Sequence, residues 1–129
     1  MCIRDRNWDL SRARLSVESW ANVNPPQSLN GLHAHAGSLL SGAYYLSVPE
    51  GSGGINFYSP RRVFQPDNQP PPLDPSRNVP DGLSQRVLPQ AGDLLLFPGW
   101  LPHDVEPNRS NRTRYSISFN LHAEPKAPA

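Results

Sequence analysis

The sequence predicts an all-β fold of the jelly-roll type, and three observations lead to this prediction. Proline makes up 16 of the 129 residues, which disfavours long helices because proline lacks an amide proton and clashes inside a helix. Apolar residues alternate with polar ones or form short runs, as is typical of strands. Clusters of turn residues separate these segments at short intervals. The chain length fits a single domain with a modest core.

Eight segments are predicted as strands, and the most β-prone of them contains the run Tyr44-Tyr45-Leu46. Turns rich in proline, glycine or asparagine separate most of the segments. In chain order the predicted strands are Leu15–Val23, Leu29–His35, Leu39–Val48, Ile55–Tyr58, Gln85–Leu88, Asp93–Phe97, His103–Glu106 and Thr113–His122.

The eighth predicted strand has the cleanest alternation of apolar and polar residues. Its apolar face carries Tyr115, Ile117, Phe119 and Leu121. Its polar face carries Arg114, Ser116, Ser118 and Asn120. In a jelly roll such a polar face borders either solvent or the lumen of the barrel, and the alternation alone fits both.

The domain organisation is predicted from shifts in composition. Residues 1–6 continue no later pattern, so we expect them to lie outside the fold. Residues 7–122 form the predicted domain, which a proline-rich insert at 59–82 interrupts. A long insert of this kind is either a surface loop or a lid over a site. Residues 123–129 are predicted to be a flexible tail.

Charge and cysteine content bound the classes of partner and compartment. The net charge of +1 gives no indication of nucleic-acid binding. The single cysteine, Cys2, excludes an intrachain disulfide and suits a reducing compartment, so we expect a cytoplasmic protein. No apolar run has the length of a transmembrane helix. The expected partner is a small-molecule or peptide substrate.

Three histidines are the candidate metal ligands. His33 and His35 are two residues apart on a predicted strand, so their side chains should point to the same face. His103 follows a buried strand and could supply a third nitrogen ligand from elsewhere in the barrel. Three protein ligands on one side of a metal leave its other positions free for substrate and oxygen.

Arg114 and Ser116 are the candidate anion-binding pair. Both lie on the polar face of the eighth strand. A buried arginine is costly unless it meets an anion, and its planar guanidinium matches a carboxylate. If this face borders the lumen, the pair suits a small anionic molecule; otherwise Arg114 is a surface residue.

Four stretches together resemble a known family. They are Asn30–Leu46, Gly53–Arg61, Gly92–Asn108 and Arg114–Asn120. In this order they resemble the 2-oxoglutarate- and iron(II)-dependent oxygenases, most closely a branch found in bacteria and phages and more distantly the prolyl 4-hydroxylases. The resemblance covers about Trp20 to Leu121.

The resemblance implies a double-stranded β-helix, with additional structure before the strand at Leu15 that makes this chain a truncated copy. It implies that His33 and His103 bind Fe(II). It also implies that Arg114, helped by Ser116, holds the far carboxylate of the co-substrate 2-oxoglutarate. The hydroxyl of Tyr45 is expected to assist there, while Tyr44 is expected to point into a core.

His35 departs from the usual pattern of the wider superfamily. Where an aspartate or glutamate is usual, this chain has a histidine. We interpret His35 as the third iron ligand, which leaves the iron one unit more positive than a carboxylate would. The alternative is that His35 lies beside the metal without binding it and leaves a position for an external ligand.

Other polar and aromatic residues near these motifs are assigned supporting or structural roles. Asn30 and Asn120 are candidates to donate to the near carboxylate or to substrate. Trp100 is expected to shield the metal or to pack in its turn. Asp104 should point away from the metal, and His122 is expected to be structural or exposed.

Three functions are compatible with the predicted fold and candidate site residues. The first is a 2-oxoglutarate- and Fe(II)-dependent dioxygenase that hydroxylates a substrate and releases succinate and carbon dioxide. The second is a cupin-type dioxygenase in which three histidines hold a metal without a keto acid. The third is a non-enzymatic jelly-roll binding domain, which the ordered set of histidines and arginine disfavours.

Overall fold

A computed structural model of the chain describes residues 10–59 and 84–126. Within them all eight predicted strands are present, with ends that differ by a few residues from the predicted ones. A short 3-10 turn at Leu10–Arg12 precedes the first strand. The strands are β1 (Ala13–Asn24), β2 (Asn30–His33), β3 (Leu40–Ser47), β4 (Ile55–Tyr58), β5 (Ser84–Val87), β6 (Leu94–Pro98), β7 (His103–Val105) and β8 (Arg114–Pro125).

The strands form two antiparallel four-stranded sheets. One sheet has the order β1-β8-β3-β6 and the other has the order β2-β7-β4-β5. Strands that are adjacent in a sheet are mostly distant in the chain, as in the double-stranded β-helix that the family resemblance implies. The longest pairing joins β1 to β8, from Ala13 opposite Pro125 to Asn24 opposite Arg114.

The polar face of β8 is its buried face. Arg114, Ser116 and Asn120 are buried, whereas Tyr115 is 44% exposed and Ile117 is 37% exposed. The question that the alternation left open is therefore answered, because the polar side of this strand borders the lumen. The β1-β8-β3-β6 sheet therefore has an outer surface rich in exposed apolar residues, while β8 presents polar side chains to the lumen, the reverse of an ordinary half-buried strand.

The same outward orientation corrects the expectation for Tyr44. Tyr44 does point away from the lumen, but it is 38% exposed and does not enter a core of the described residues. It pairs with Ile117 on β8 and with Leu94 on β6, both of which are also exposed. These side chains belong to the apolar outer surface of the sheet.

The interior holds more buried polar residues than buried apolar ones. Among the described residues the buried apolar side chains are Ala43, Tyr45, Ile55 and Phe97. The buried polar ones are Ser41, Ser52, His103, Asn108, Arg114, Ser116 and Asn120. Buried polar groups are expensive to desolvate, and three of these residues, His103, Arg114 and Ser116, line one cavity, which marks it as a candidate site.

The predicted flexible tail begins too early. β8 continues to Pro125, and Ala123–Pro125 pair with Leu15–Ala13 of β1. The side chains of Arg14 and Glu124 form an ion pair of 2.8 Å across this pairing. Composition alone misses the strand end because long-range pairing holds it. Residues 1–6 and residues 60–82 of the predicted insert lie outside the described residues.

Within residues 10–59 and 84–126, no helix has the length and apolar character needed to cross a membrane.

Candidate metal centre and co-substrate site

His33, His35 and His103 converge at one point, where His103 is buried, His35 is half-buried and His33 is exposed. One ring nitrogen from each lies within 4.8 Å of the others. The ring centroids are 4.3 Å apart for His33 and His103, 5.0 Å for His33 and His35, and 5.2 Å for His35 and His103. This arrangement could hold a metal ion that prefers imidazole ligands.

Strand pairing positions two of the three histidines. His33 and His103 are opposite each other where β2 pairs with β7. In each, Nδ1 donates to the carbonyl oxygen two residues earlier, over 2.7 Å from His33 to Gly31 and 2.9 Å from His103 to Leu101. Since a carbonyl only accepts, Nδ1 carries the proton in both rings. The lone pair on Nε2 is left available to a metal.

His35 reaches the cluster by a different route from the predicted one. β2 ends at His33, so His35 does not share a strand with it. The backbone amide of His35 instead donates to the carbonyl oxygen of Gly99 over 2.8 Å, which fixes the segment after β2 against the turn after β6. The side chain is half-buried, and its Nδ1 lies 3.4 Å from Nδ2 of Asn120.

The environment favours neutral imidazoles, the form that binds metals. Burial lowers the pKa of His103, and the neighbouring His33 and His35 lower it further. Burial also lowers the pKa of His35, with a second contribution from His33. Desolvation and repulsion among like charges both oppose protonation. Two of the three candidate ligands are therefore biased towards their metal-binding state.

Arg114 is buried in the cavity that the three histidines line. Arg114 is 1% exposed, and burial lowers the pKa of its guanidinium. Nη1 donates to the carbonyl oxygen of Ser52 over 2.6 Å. Nη2 is buried and has no hydrogen-bond partner among the described residues. A buried cation without a carboxylate partner is unfavourable, and an incoming anion would remove that cost.

The turn before β4 holds the guanidinium in place. Its backbone conformation depends on Gly53, whose φ of +82° is rarely adopted by other residues. A Cβ at this position would lie 2.9 Å from Cβ of Glu106 and 2.9 Å from the carbonyl oxygen of Pro107. On the other side of the turn, the amide of Gly54 donates to Oε2 of Glu106 over 2.9 Å.

Glu106 is itself fixed by a bidentate ion pair. Nε and Nη2 of Arg86 each donate to a carboxylate oxygen of Glu106 over 2.7 Å. The hydrogen bonds from Arg86, followed by the one from Gly54, lower the pKa of Glu106 to about 2. A chain of contacts therefore runs from β5 through Glu106 to the turn that orients Arg114.

Tyr45 and Ser116 line the same cavity as Arg114. They are paired across β3 and β8, and both are buried. Burial raises the pKa of Tyr45, which keeps its phenol protonated and able to donate. Both residues line the cavity, so their hydroxyls are near any anion that Arg114 binds.

Of the remaining candidates, only some line the cavity. Asn30 lines the cavity, whereas Asn120 lies behind His35 and contacts Ser41. Trp100 is 55% exposed and does not line the cavity, so the prediction that it shields the metal is not supported by its position. Trp100 lies at the surface in the Pro98–Pro102 turn. In the same turn Gly99 is so close to Ser38 that an added Cβ would clash with the Ser38 backbone.

Sequence reasoning missed residues of β1 that line the cavity. Trp20 is the tryptophan near the metal cluster, with its ring centroid 6.2 Å from that of His35. Asn22 donates to the hydroxyl of Ser118 over 2.7 Å and also lines the cavity. Their positions follow from the pairing of β1 with β8, which places both residues opposite the polar face. The alternation of apolar and polar residues along β1 is the sequence signal that this strand has a second, polar face.

Asp104 and His122, which were not predicted to be metal ligands, lie outside the cluster. Asp104 accepts hydrogen bonds from Asn56 over 2.8 Å and from Tyr58 over 2.6 Å, on the side of β7 opposite His103. Nε2 of His122 lies 3.8 Å from a carboxylate oxygen of Glu18. Both side chains have partners of their own.

The site suits both a divalent metal and a keto acid. Three converging imidazoles match a first-row transition metal. The unpaired Nη2 of Arg114 matches a carboxylate, which guanidinium groups bind through parallel hydrogen bonds. A double-stranded β-helix with a histidine cluster and a buried arginine defines an oxygenase-like metal site.

Comparison with known families agrees with this class. Residues 18–120 match the model of the family described as "Putative 2OG-Fe(II) oxygenase". The match covers most of the chain, so the chain belongs to the 2-oxoglutarate- and Fe(II)-dependent oxygenase family, whose members use Fe(II) and 2-oxoglutarate. No curated protein sequence matches the chain.

Solved structures share the fold. A prolyl-4-hydroxylase from Pseudomonas putida is 22% identical with a TM-score of 0.58, and the alignment covers 82% of this chain and 52% of that one. An oxidoreductase of the 2OG-Fe(II) oxygenase family from Burkholderia pseudomallei is 17% identical with a TM-score of 0.62, covering 86% and 46%. The carbocyclase SnoK from nogalamycin biosynthesis is 17% identical with a TM-score of 0.59, covering 87% and 52%. The chain spans about half the length of these structures.

Proposed function

We propose that this chain is the catalytic core of a 2-oxoglutarate- and Fe(II)-dependent dioxygenase that hydroxylates a substrate and releases succinate and carbon dioxide. The observation that carries the proposal is the unpaired guanidinium nitrogen of Arg114, buried in the same cavity as three converging histidines. Membership of the oxygenase family supports the choice of metal and co-substrate.

In this proposal His33, His35 and His103 hold the iron. Three neutral nitrogen ligands leave the remaining positions for the keto acid and dioxygen. When bound, Fe(II) and 2-oxoglutarate would supply the chemistry of hydroxylation, in which the keto acid and the substrate C–H bond each give two electrons to dioxygen and the products are succinate, carbon dioxide and the hydroxylated substrate. The contribution of the protein is to hold these groups in place and to limit the access of water.

Arg114 is proposed to bind the carboxylate of 2-oxoglutarate that is remote from the metal. Nη1 already donates to the carbonyl oxygen of Ser52, whereas Nη2 is buried without a partner among the described residues and is the donor proposed for this carboxylate. The hydroxyls of Tyr45 and Ser116 supply further donors on the same wall of the cavity. A charge-assisted hydrogen bond in a buried site contributes about 1.5–3 kcal/mol.

The cupin-type alternative does not account for the buried Arg114. A three-histidine dioxygenase without a keto acid has no use for a buried arginine in the metal cavity. Burial of Arg114 costs free energy, and none of the described residues compensates it with a carboxylate contact. The presence of this residue favours the oxygenase that uses 2-oxoglutarate.

The proposal is tested by measuring succinate formation from 2-oxoglutarate in the presence of Fe(II) and dioxygen, with candidate small molecules and peptides as substrates. We expect succinate that depends on all three components and that falls to background in the His103→Ala variant. The His122→Ala variant is the matched control because His122 lies outside the cluster. Metal binding without any affinity for 2-oxoglutarate would instead support the cupin-type enzyme.

A further inference from the structure

The three histidines of the cluster differ in what holds their second ring nitrogen. For His33 and His103 that partner is a backbone carbonyl, which fixes the tautomer. For His35 the partner is the side-chain amide of Asn120, at 3.4 Å from Nδ1. An amide has a donor end and an acceptor end, so this contact can support either tautomer of His35.

The other end of the Asn120 amide is held by a serine. The hydroxyl of Ser41 lies 2.7 Å from Oδ1 of Asn120, and both side chains are buried. The two residues are opposite each other where β3 pairs with β8, so the contact is built into the sheet. A hydroxyl can donate or accept. Ser41 can therefore satisfy Asn120 whichever end of the amide faces it.

The orientation of this amide decides which nitrogen of His35 carries the proton. With Nδ2 towards the ring, Asn120 donates to Nδ1, and the proton of the neutral imidazole is on Nε2. With the amide turned by half a rotation, Oδ1 accepts a proton from Nδ1, and Nε2 has a free lone pair. Only the second state gives His35 the tautomer that His33 and His103 have.

We propose that Asn120, backed by Ser41, is the positioning residue of the third metal ligand. In the metal-bound protein its side-chain oxygen accepts the Nδ1 proton of His35, which leaves Nε2 of His35 to bind the metal. This inference rests on the proposed function, because it assumes that the cluster binds a metal. It assigns Asn120 to His35, whereas the sequence analysis placed it near the co-substrate or substrate.

The inference also explains how a histidine replaces the usual carboxylate. A carboxylate ligand needs no choice of tautomer, whereas a histidine ligand needs a partner that fixes its ring. The segment around His35 supplies no backbone carbonyl to Nδ1 among the described residues, and Asn120 is the group that contacts it. The contact spans β8 and the segment after β2, so the sheet holds the ring in place.

The test measures binding of Co²⁺, an oxygen-stable probe under anaerobic conditions, by calorimetry and by visible absorption. We expect Asn120→Ala to weaken Co²⁺ binding by about 10- to 100-fold, the range for loss of a partner of a metal-binding histidine. Asn120→Asp, which keeps an acceptor for Nδ1, is expected to bind within about threefold of the original protein. Ser41→Ala should give an intermediate loss.

A double-mutant cycle separates a positioning role from a general structural one. If Asn120 acts through His35, Asn120→Ala causes no further loss once His35→Ala is present. The matched control is Asn56→Ala, which removes an asparagine from β4 that bonds to Asp104 and should leave Co²⁺ binding unchanged. Thermal unfolding of every variant checks that it is folded.

Two results would overturn the inference. One is Co²⁺ binding by Asn120→Ala that equals the original, and the other is a loss that adds fully to that of His35→Ala. Failure of the original protein to bind Co²⁺ would instead contradict the metal site and with it the proposed function. If Asn120→Ala does not fold, the comparison of Asn120→Asp with Ser41→Ala decides, because a failure of Ser41→Ala to weaken binding also counts against the inference.

Discussion

Nη1 of Arg114 donates to the carbonyl oxygen of Ser52 over 2.6 Å, while Nη2 of the same guanidinium is buried and has no hydrogen-bond partner among the described residues. The arginine is therefore held by backbone and not by an acidic side chain. A carboxylate at this position would have neutralised it and occupied the donor. The contact leaves the charge of Arg114 available to an anionic ligand.

Replacement of Arg114 by lysine should weaken 2-oxoglutarate binding. Lysine keeps the charge but loses the planar pair of donors, so the contact to Ser52 and the contact to the ligand cannot both be made in the same geometry. We expect the Kd for 2-oxoglutarate to rise at least about tenfold, or roughly 1.4 kcal/mol. Co²⁺ affinity should be unchanged, and the exposed Arg109→Lys is the control. Equal keto-acid affinity in the original protein and Arg114→Lys would contradict the assignment.

Replacement of Gly53 by alanine should affect both stability and the keto-acid site. The positive φ and the close approach of Glu106 and Pro107 make a Cβ unfavourable, by about 1–3 kcal/mol. Because the turn orients Arg114, the Kd for 2-oxoglutarate should also rise. Gly92→Ala is a matched control, since Gly92 also has a positive φ but open space around it. Urea unfolding and calorimetry measure the two effects. A similar change in keto-acid affinity for both variants would contradict this role of the turn.

The ion pair between Arg86 and Glu106 should make stability depend on pH in the acid range. The pKa of Glu106 is lowered to about 2, mainly by the hydrogen bonds from Arg86. A lowered pKa in the folded state stabilises the protein above the unfolded value of 4.5, and this contribution is lost as the pH falls towards 2. The pair is partly exposed, so screening reduces its contribution to about 1 kcal/mol.

Glu106→Gln should therefore be less stable than the original protein at pH 7, and the difference should shrink between about pH 4.5 and pH 2. Urea unfolding at several pH values measures it. Glu124→Gln, which removes the fully exposed pair with Arg14, is expected to change little. A difference for Glu106→Gln that stays constant with pH would show that the lost interaction is not ionic.

Binding of a divalent metal should stabilise the folded chain. A ligand that binds only the folded state adds about 2.7 kcal/mol to the free energy of unfolding at a concentration 100 times its Kd. We expect Ni²⁺ to raise the Tm and a chelator to reverse the increase. The increase should disappear in His103→Ala and persist in His122→Ala. An equal increase in both variants would place the metal elsewhere.

The strands could be predicted from sequence because alternation and turn residues are local signals. The eight strands follow from such signals, whereas the family resemblance rests on the ordered histidine and arginine motifs, and the structure confirms the fold. Alternation shows only that a strand has two different faces. Alternation does not show which of the two faces points into the lumen. Arg114 and Asn120 are buried while Ile117 is exposed, because the polar face of this strand is the one that turns towards the other sheet.

Long-range contacts account for what the sequence did not show. His35 lies beyond the end of β2 and is placed by a backbone bond to Gly99. Trp20 approaches His35 because β1 pairs with β8, and the alternation of β1 shows that this strand has two faces without showing which residues its inner face meets. The last residues of β8 are ordered by the same pairing. Each of these positions depends on residues distant in the chain.

The most direct test of the account is anaerobic titration of 2-oxoglutarate into the protein with and without Fe(II). If the histidine cluster and Arg114 form one site, the keto acid binds with a stoichiometry of one, and Fe(II) tightens its binding at least about tenfold, or roughly 1.4 kcal/mol. That increase should be absent in His103→Ala. Binding of the same strength with and without Fe(II), or no binding in either case, would contradict the account.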